Sequence, residues 1–420
     1  MLLRPSLAVR FFQRNGFGTK IVNSALMSLE GRNDALQLTV QRGQQQHRLV
    51  VPLVWLRDHC RHPNRYNQKT NQRVSNATDL LEKAEVDGEE GIVITEGSKI
   101  SIHWADGQES VFNIDKLVQD SVVDEKLVLL DEAVQPWRKL DRLPRLHVSN
   151  FNMKTVAEYF VKYGVVMIDG VEENADATEE LCRRVAPIHD TFYGPFWVFS
   201  NQTQEKGEEY HEDTAYGNDT IGPHTDGTYF NQTPGIQIFH CLHPAEEGGD
   251  TILVDGFSCA LQLKSENPAA FKLLSEKKKV QIEHHYVEIG NGSNQLYSTA
   301  VNKPVIELDP HGNVVQIRFN PYDRAPFRVL RQDDRAETSA REVLAFYRAY
   351  EAFSKICHSE QNATSIGLRP GTVIFIDNFR VFHSRTSFKG WRQMCGCYLS
   401  RDNFMAKARP LLPEQIRRYV

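Results

Sequence analysis

Halfway along the chain, "PHTDGTYF" (223–230) sets His224 and Asp226 two positions apart. In an extended strand, side chains at i and i+2 leave the same face, so this imidazole and this carboxylate would grip one small object. A lone H-x-D pair is weak evidence for a metal ion. The signal sharpens in "IDNFRVFHSRTSFKGWRQMCGCY" (376–398), where His383 follows an apolar strand and Arg392 comes nine residues later, on the next strand. Two imidazoles and one carboxylate on one side of a cation leave three positions open, the arrangement of non-haem Fe(II) oxygenases. The open positions would take a bidentate 2-oxo acid and dioxygen. Arg392 suits the distal carboxylate of 2-oxoglutarate, because a guanidinium fork meets a carboxylate with two parallel, charge-assisted hydrogen bonds.

Strands must bring these residues together. From about residue 220 the chain reads as a run of strands: "GIQIFHC", "DTILVDG", "KKVQIEHHYVEIG", "KPVIEL", "NVVQIRF", "GTVIFIDN" and "RQMCGCYLS". Helical stretches interrupt them at about 257–275 and 333–356. Many antiparallel strands with helical insertions predict a mostly β, α+β fold: a double-stranded β-helix, or jelly roll, in residues 151–410. Before them, "KTVAEYFVKYG" and "ATEELCRRVAPI" carry helical periodicity, the first closed by Gly164. Short β-rich stretches separated by turn residues predict a small β-rich domain over 21–135, and "PWRKLDRLPRLHVSN" (136–150) reads as a linker.

The chain has 420 residues, 40% hydrophobic and 25% charged, the composition of an ordinary globular protein. A formal charge of -5 gives no support for a nucleic-acid partner, and no apolar run reaches the length of a membrane span. Seven scattered cysteines fit a reducing compartment rather than a disulfide framework. Residues 1–20 hold Arg4, Arg10, Arg14 and Lys20 with no acidic residue, which predicts a mitochondrial transit peptide; the alternative is a basic tail.

The segments "VWLRDHCR" (54–61), "TFYGPFW" (191–197), "DTAYGN" (213–218), "HTDGTYF" (224–230), "GGDTILVDGF" (248–257), "FNPYDRA" (319–325) and "FIDNFRVFHSR" (375–385) follow one another in a recognisable order. With them the chain resembles the trimethyllysine dioxygenase and γ-butyrobetaine dioxygenase family of 2-oxoglutarate-dependent oxygenases, over nearly all of its length after the basic segment. The resemblance implies Fe(II) on His224, Asp226 and His383, 2-oxoglutarate on Thr251 and Arg392, dioxygen as co-substrate and ascorbate as an accessory reductant. It also implies C3-hydroxylation of trimethyllysine in the mitochondrial matrix, as the first step of carnitine biosynthesis; the sequence leaves the oligomeric state open, a homodimer being one option. Tyr193, Trp197, Tyr216 and Tyr398 fall where the relatives cage a trimethylammonium group. That group has no N–H to donate, so π-faces recognise it at ~0.5–2 kcal/mol per ring. Asp213 would pair with the α-ammonium that butyrobetaine lacks, and Asn320 would bind the carboxylate. Gly194 and Pro195 imply a fixed turn beneath the cage.

The resemblance has a gap. Relatives hold a structural zinc in the N-terminal domain, but Arg65 stands here for a cysteine and Gln108 for a histidine, and neither is a zinc ligand. A structural zinc is therefore not expected, unless Cys60, His59, His62 and His103 form a substitute site. Three functions compete: hydroxylation of trimethyllysine, hydroxylation of γ-butyrobetaine, and a non-catalytic jelly-roll binding protein. A demethylase of histones or nucleic acid would share the iron chemistry, but the chain shows no basic groove.

Overall fold

The computed structural model describes residues 24–31, 34–42, 44–74, 77–88, 90–95, 99–121, 133–201, 217–276, 282–289, 295–325 and 333–413. The expected transit peptide, and with it Asp213 and Tyr216, lie outside the described residues. The chain divides into two compact units, 1–126 and 127–420. Among the described residues, no helix is long and apolar enough to cross a membrane.

The first unit holds two three-stranded antiparallel sheets, β1 (Ser24–Gly31), β2 (Ala35–Arg42) and β3 (Gln45–Pro52), then β4 (Ile92–Thr95), β5 (Lys99–His103) and β6 (Glu109–Asn113), with helices α1 (Leu53–Asp58) and α2 (Ile114–Ser121). Alternation in β2 sends Leu36, Leu38 and Val40 into a core shared with Ile100, Ile102 and Trp104. The Trp104 indole N–H is satisfied by Ser110 Oγ at 2.7 Å. At the two positions where the resemblance led to an expectation of zinc ligands, Arg65 Nε donates to Gln108 Oε1 at 2.6 Å and Arg65 Nη2 to Asp106 Oδ2 at 3.1 Å. Arg57, almost wholly buried, also donates to Asp106. A charged hydrogen-bond network thus links the segments on which a metal would otherwise act. Cys60 Sγ donates to the Glu109 carbonyl and His59 stacks on Trp55, while His103 is exposed. Cys60, His59, His62 and His103 do not converge on a common point among the described residues.

The second unit is built on two sheets. The larger runs in the order β9 (Trp197–Ser200), β16 (Gln393–Leu399), β11 (Ile236–His243), β14 (Thr372–Asp377), β8 (Val165–Asp169) and β7 (Arg145–His147). The smaller runs β10 (Ile221–His224), β15 (Val381–Arg385), β12 (Thr251–Asp255) and β13 (Ala363–Ile366). All pairings are antiparallel except β7 with β8.

Strand alternation assigns each residue to a core. In β14, Ile374 and Ile376 point into the layer between the sheets, with Leu253 and Val381 from the smaller sheet. Val373 and Phe375 point the other way, onto helices α3 (Met153–Tyr163), α4 (Ala175–Val185) and α8 (Arg401–Ala408). Val254 and Phe382 leave the far side of the smaller sheet and pack on α5 (Gly256–Glu266), α6 (Pro268–Ser275) and α7 (Ala336–Cys357). This arrangement fits the jelly-roll class expected from the sequence.

Two local expectations change, and a third holds. The helical stretch 257–275 is two helices, because Asn267 closes α5 and caps α6, whose first residue is Pro268. Residues 136–150 belong to the second unit's own structure. The Trp137 N–H donates to Asp255 Oδ2 at 2.9 Å, its indole to the Tyr163 carbonyl at 2.8 Å, and Arg145–His147 adds an edge strand. Burial of Trp137 and Leu143 outweighs the irregular pattern that made the segment read as a linker. The helix before Gly164 ends as expected, with Gly164 at φ 72°.

Candidate active site

β10 and β15 pair so that His224 lies directly opposite His383. The strand ends at His224, and Asp226 occupies the turn that follows, not an extended i+2 position. That turn folds back through Gly227 at φ 62°. Thr225 anchors it: its N–H donates to the Phe319 carbonyl at 2.9 Å, and its hydroxyl accepts the Phe319 N–H at 3.1 Å.

The result is a compact triad. His224 Nε2 lies 3.3 Å and His383 Nε2 3.4 Å from the same carboxylate oxygen, Asp226 Oδ1. The three donor atoms lie within 4.8 Å of one another, and no other such group occurs among the described residues. His224 Nδ1 donates to the Gly222 carbonyl at 2.8 Å, which orients the ring with Nε2 toward Asp226 and leaves Nε2 to bind a metal once its own proton is lost. Burial alone would lower the His224 pKa, but the Asp226 hydrogen bond and charge raise it. Burial would likewise raise the Asp226 pKa, yet the charge of His383 and the hydrogen bonds from both imidazoles hold it well below the carboxylate range. The donor set is thus one ionised oxygen and two imidazole nitrogens turned to one point, which fits a divalent first-row metal.

The second oxygen of Asp226 is occupied. Tyr398 Oη donates to Oδ2 at 2.9 Å. The Tyr398 ring also lies 4.8 Å from the Trp197 ring, tilted by 53°, so two of the expected cage residues do come together. Tyr193 is pinned through its hydroxyl, 2.6 Å from that of Tyr229. Its backbone turn is closed by the Gly194 N–H on the Thr191 carbonyl at 2.9 Å, with Gly194 at φ 85°. Phe192, Tyr229 and Phe230 form the rest of this aromatic cluster. Asn320 is buried and already engaged: its amide donates to Asp323 Oδ2 at 2.7 Å, and Oδ1 accepts from Tyr322 N at 2.9 Å.

Arg392 sits one residue before β16 rather than within a strand, with its N–H on Asn201 Oδ1 at 3.0 Å. The residue is 8% exposed, and its guanidinium lies 5.5 Å from the Phe388 ring with no acidic partner among the described residues. Burial lowers its pKa. Burying an unpaired cation is costly, so this pocket fits an anionic ligand such as 2-oxoglutarate. Thr251 opens β12 opposite Arg385. Arg385 Nη2 donates to the carbonyls of Gly217 and Asp219 at 2.8 and 2.7 Å, and burial pushes its pKa down to about 10.

Four features escaped the sequence reading: the Tyr398 bond to Asp226, Tyr229 beneath Tyr193, Arg385 holding Gly217 and Asp219, and the Asn378 side chain, which accepts the Asp226 N–H and donates to its carbonyl. The only available signal was that Tyr229, Asn378 and Arg385 stand inside the segments "HTDGTYF" and "FIDNFRVFHSR".

A two-sheet core with a His-Asp-His triad at one strand pair is the frame of a dioxygenase, and the chain belongs to the family described as taurine catabolism dioxygenase TauD, TfdA family, matched over residues 138–398. Among individual proteins, it is 35% identical over 374 residues to the mitochondrial trimethyllysine dioxygenase of Rattus norvegicus, covering 85% of this chain and 82% of that one. It is 32% identical to the trimethyllysine dioxygenase of Meyerozyma guilliermondii (84% and 88% covered) and 28% identical to the γ-butyrobetaine dioxygenase of Homo sapiens (86% and 91% covered). A crystal structure of a taurine dioxygenase from Burkholderia xenovorans is similar with a TM-score of 0.41 at 14% identity, covering 64% and 94% of the two chains.

Proposed function

We propose that the protein is an Fe(II)- and 2-oxoglutarate-dependent dioxygenase that hydroxylates N6,N6,N6-trimethyllysine at C3, releasing succinate and carbon dioxide, as the first step of carnitine biosynthesis. The observation that carries the chemistry is the convergence of two imidazole Nε2 atoms on one oxygen of Asp226. Trimethyllysine is favoured over γ-butyrobetaine by the identities of 35% and 28% to the two kinds of relative.

In this reading His224, Asp226 and His383 hold iron, which when bound supplies dioxygen activation coupled to decarboxylation of 2-oxoglutarate. Arg392 and Thr251 fix the co-substrate. Tyr193, Trp197, Tyr216 and Tyr398 present π-faces to the trimethylammonium group and exclude water around it. Asp213 and Asn320 hold the amino-acid head, so the chain between the two ends is stretched past the metal and one carbon is presented. Asn320 would exchange its local bonds to Asp323 and Tyr322 for the substrate carboxylate. Ascorbate as a reductant, a homodimer and the mitochondrial matrix belong to the same proposal, the last supported by the mitochondrial relatives.

The test is succinate release with Fe(II), 2-oxoglutarate and one of three substrates: trimethyllysine, γ-butyrobetaine or a trimethyllysine histone peptide. Trimethyllysine should give the highest kcat/KM. A higher value for γ-butyrobetaine would move the assignment to the paralogue, and no turnover with any would leave a binding protein. Asp213→Asn should cost trimethyllysine about 1.5–3 kcal/mol in transition-state binding, read from kcat/KM, while turnover of γ-butyrobetaine holds or rises.

A further inference from the structure

Asp226 lies beyond the end of β10, where no strand ladder fixes its backbone. A turn that starts at a metal ligand and contains a left-handed glycine has freedom that would swing the carboxylate away from the two imidazoles. Thr225 anchors the residue before it to Phe319, and one further side chain holds the Asp226 peptide itself. Asn378 Oδ1 accepts the Asp226 N–H at 2.8 Å, and Nδ2 donates to the Asp226 carbonyl at 2.9 Å. The second hydrogen on Nδ2 goes to the Pro234 carbonyl at 2.8 Å, and the Asn378 backbone N–H goes to the Gly235 carbonyl at 3.1 Å. Both ends of the segment 226–235 are therefore tied to one residue, which is 0% exposed.

The base of this clamp is itself fixed. Asn378 follows β14 directly, between two ion-paired neighbours. Asp377 receives Arg401 at 3.3 and 3.2 Å, and Arg380 is paired with Asp255 at 3.1 and 2.8 Å. Five residues on, the same hairpin carries His383. The ligand from the turn and the ligand from the hairpin are thus placed relative to each other through Asn378.

We infer that Asn378 is a positioning residue of the metal centre, acting through the backbone of Asp226; the inference rests on the metal-site reading above. The amide is the group that fits. It offers one acceptor and two donors in one plane, matched here to one N–H and two carbonyls. Aspartate keeps the acceptor but faces the two carbonyls without a donor, and alanine removes all three bonds.

The test is a Mn(II) titration of the metal-free enzyme in the presence of 2-oxoglutarate, read by electron paramagnetic resonance of free Mn(II), alongside melting of the metal-free protein. Asn378→Ala should weaken Mn(II) binding by at least tenfold and lower kcat, with KM for trimethyllysine changed less than threefold. Asn378→Asp, nearly isosteric, should also weaken binding at least tenfold and decides the matter if the alanine variant does not fold. A lower melting temperature with unchanged Mn(II) affinity in either variant would overturn the inference and make Asn378 a packing residue. In the wild type the Asp226 amide hydrogen should exchange slowly without metal; rapid exchange would overturn the clamp with no substitution at all. Failure of the wild type to bind Mn(II) would instead overturn the metal site itself, and this inference with it.

Discussion

The phenol of Tyr398 donates to Asp226 Oδ2 at 2.9 Å, so a ring that lies 4.8 Å from Trp197 is bonded to the carboxylate on which both histidines converge. One residue therefore borders the proposed cation site and the proposed metal site together. A cation over that ring would draw electron density from the phenol and strengthen its bond to the carboxylate.

Tyr398→Phe separates the two tasks. The ring remains for the trimethylammonium group, while a hydrogen bond to a charged oxygen, worth about 1.5–3 kcal/mol, is lost. Metal affinity should fall about tenfold and KM for trimethyllysine should stay within about threefold. Mn(II) titration and steady-state kinetics on one preparation check both; a KM effect alone would confine Tyr398 to the cage.

Arg392→Ala should raise the 2-oxoglutarate requirement by roughly 2–4 kcal/mol, the effect of deleting a buried charged contact. Arg392→Lys keeps the charge but loses the fork, and should recover only part of it. The apparent KM for 2-oxoglutarate is the measurement. A value unchanged in Arg392→Ala would transfer the anion to another cation, with Arg385 the first to examine.

His240 predicts an acid limb of stability. It is fully buried, with Nδ1 2.7 Å from Thr178 Oγ1 and the Gly371 N–H donating to Nε2 at 3.0 Å. Burial lowers its pKa to about 4, and protonation would set Nε2–H against that amide. Between pH 4 and 6.5 the unfolded chain binds a proton that the folded one refuses. The stabilisation is complete above pH 6.5 and is lost as pH falls toward 4, in total roughly 3 kcal/mol. Urea unfolding across that window should show the slope, and His240→Gln should flatten it. An equally steep slope in the variant would place the titration elsewhere.

The Arg380–Asp255 pair is 2% and 0% exposed in the side chains. Every spare group on it is bonded: Arg380 to the carbonyls of Gln135, Val161 and Lys162, Asp255 to the N–H groups of Trp137, Phe257 and Ser258. Arg380→Met leaves a buried carboxylate and should destabilise the second unit by about 3–5 kcal/mol. Chemical denaturation gives the number; a loss below about 1 kcal/mol would mean that water reaches Asp255.

The sequence carried the fold and the triad unequally. His224 and His383 were legible because each ends or follows a short strand pattern, and strand pairing is what sets them opposite one another. Asp226 was found for a reason only partly right, since a turn and not strand alternation aims it. Asn378 and the Tyr398 phenol were illegible as partners. Their meaning lies in bonds to a residue far away in sequence, and composition around them is that of any strand end. Residues 136–150 misled for the opposite reason: their local pattern is irregular, and one tryptophan and one leucine buried against a distant sheet decide where they belong.

The seven cysteines offer a practical handle. All are free and buried, and burial raises the pKa of Cys241 and takes that of Cys395 to about 11, so few thiolates face solvent near neutral pH. A single cysteine introduced at an exposed position such as Val198 would be the one fast-reacting thiol. A spin label or fluorophore there would report on the neighbourhood of Trp197 in an otherwise wild-type chain, with no native cysteine to remove.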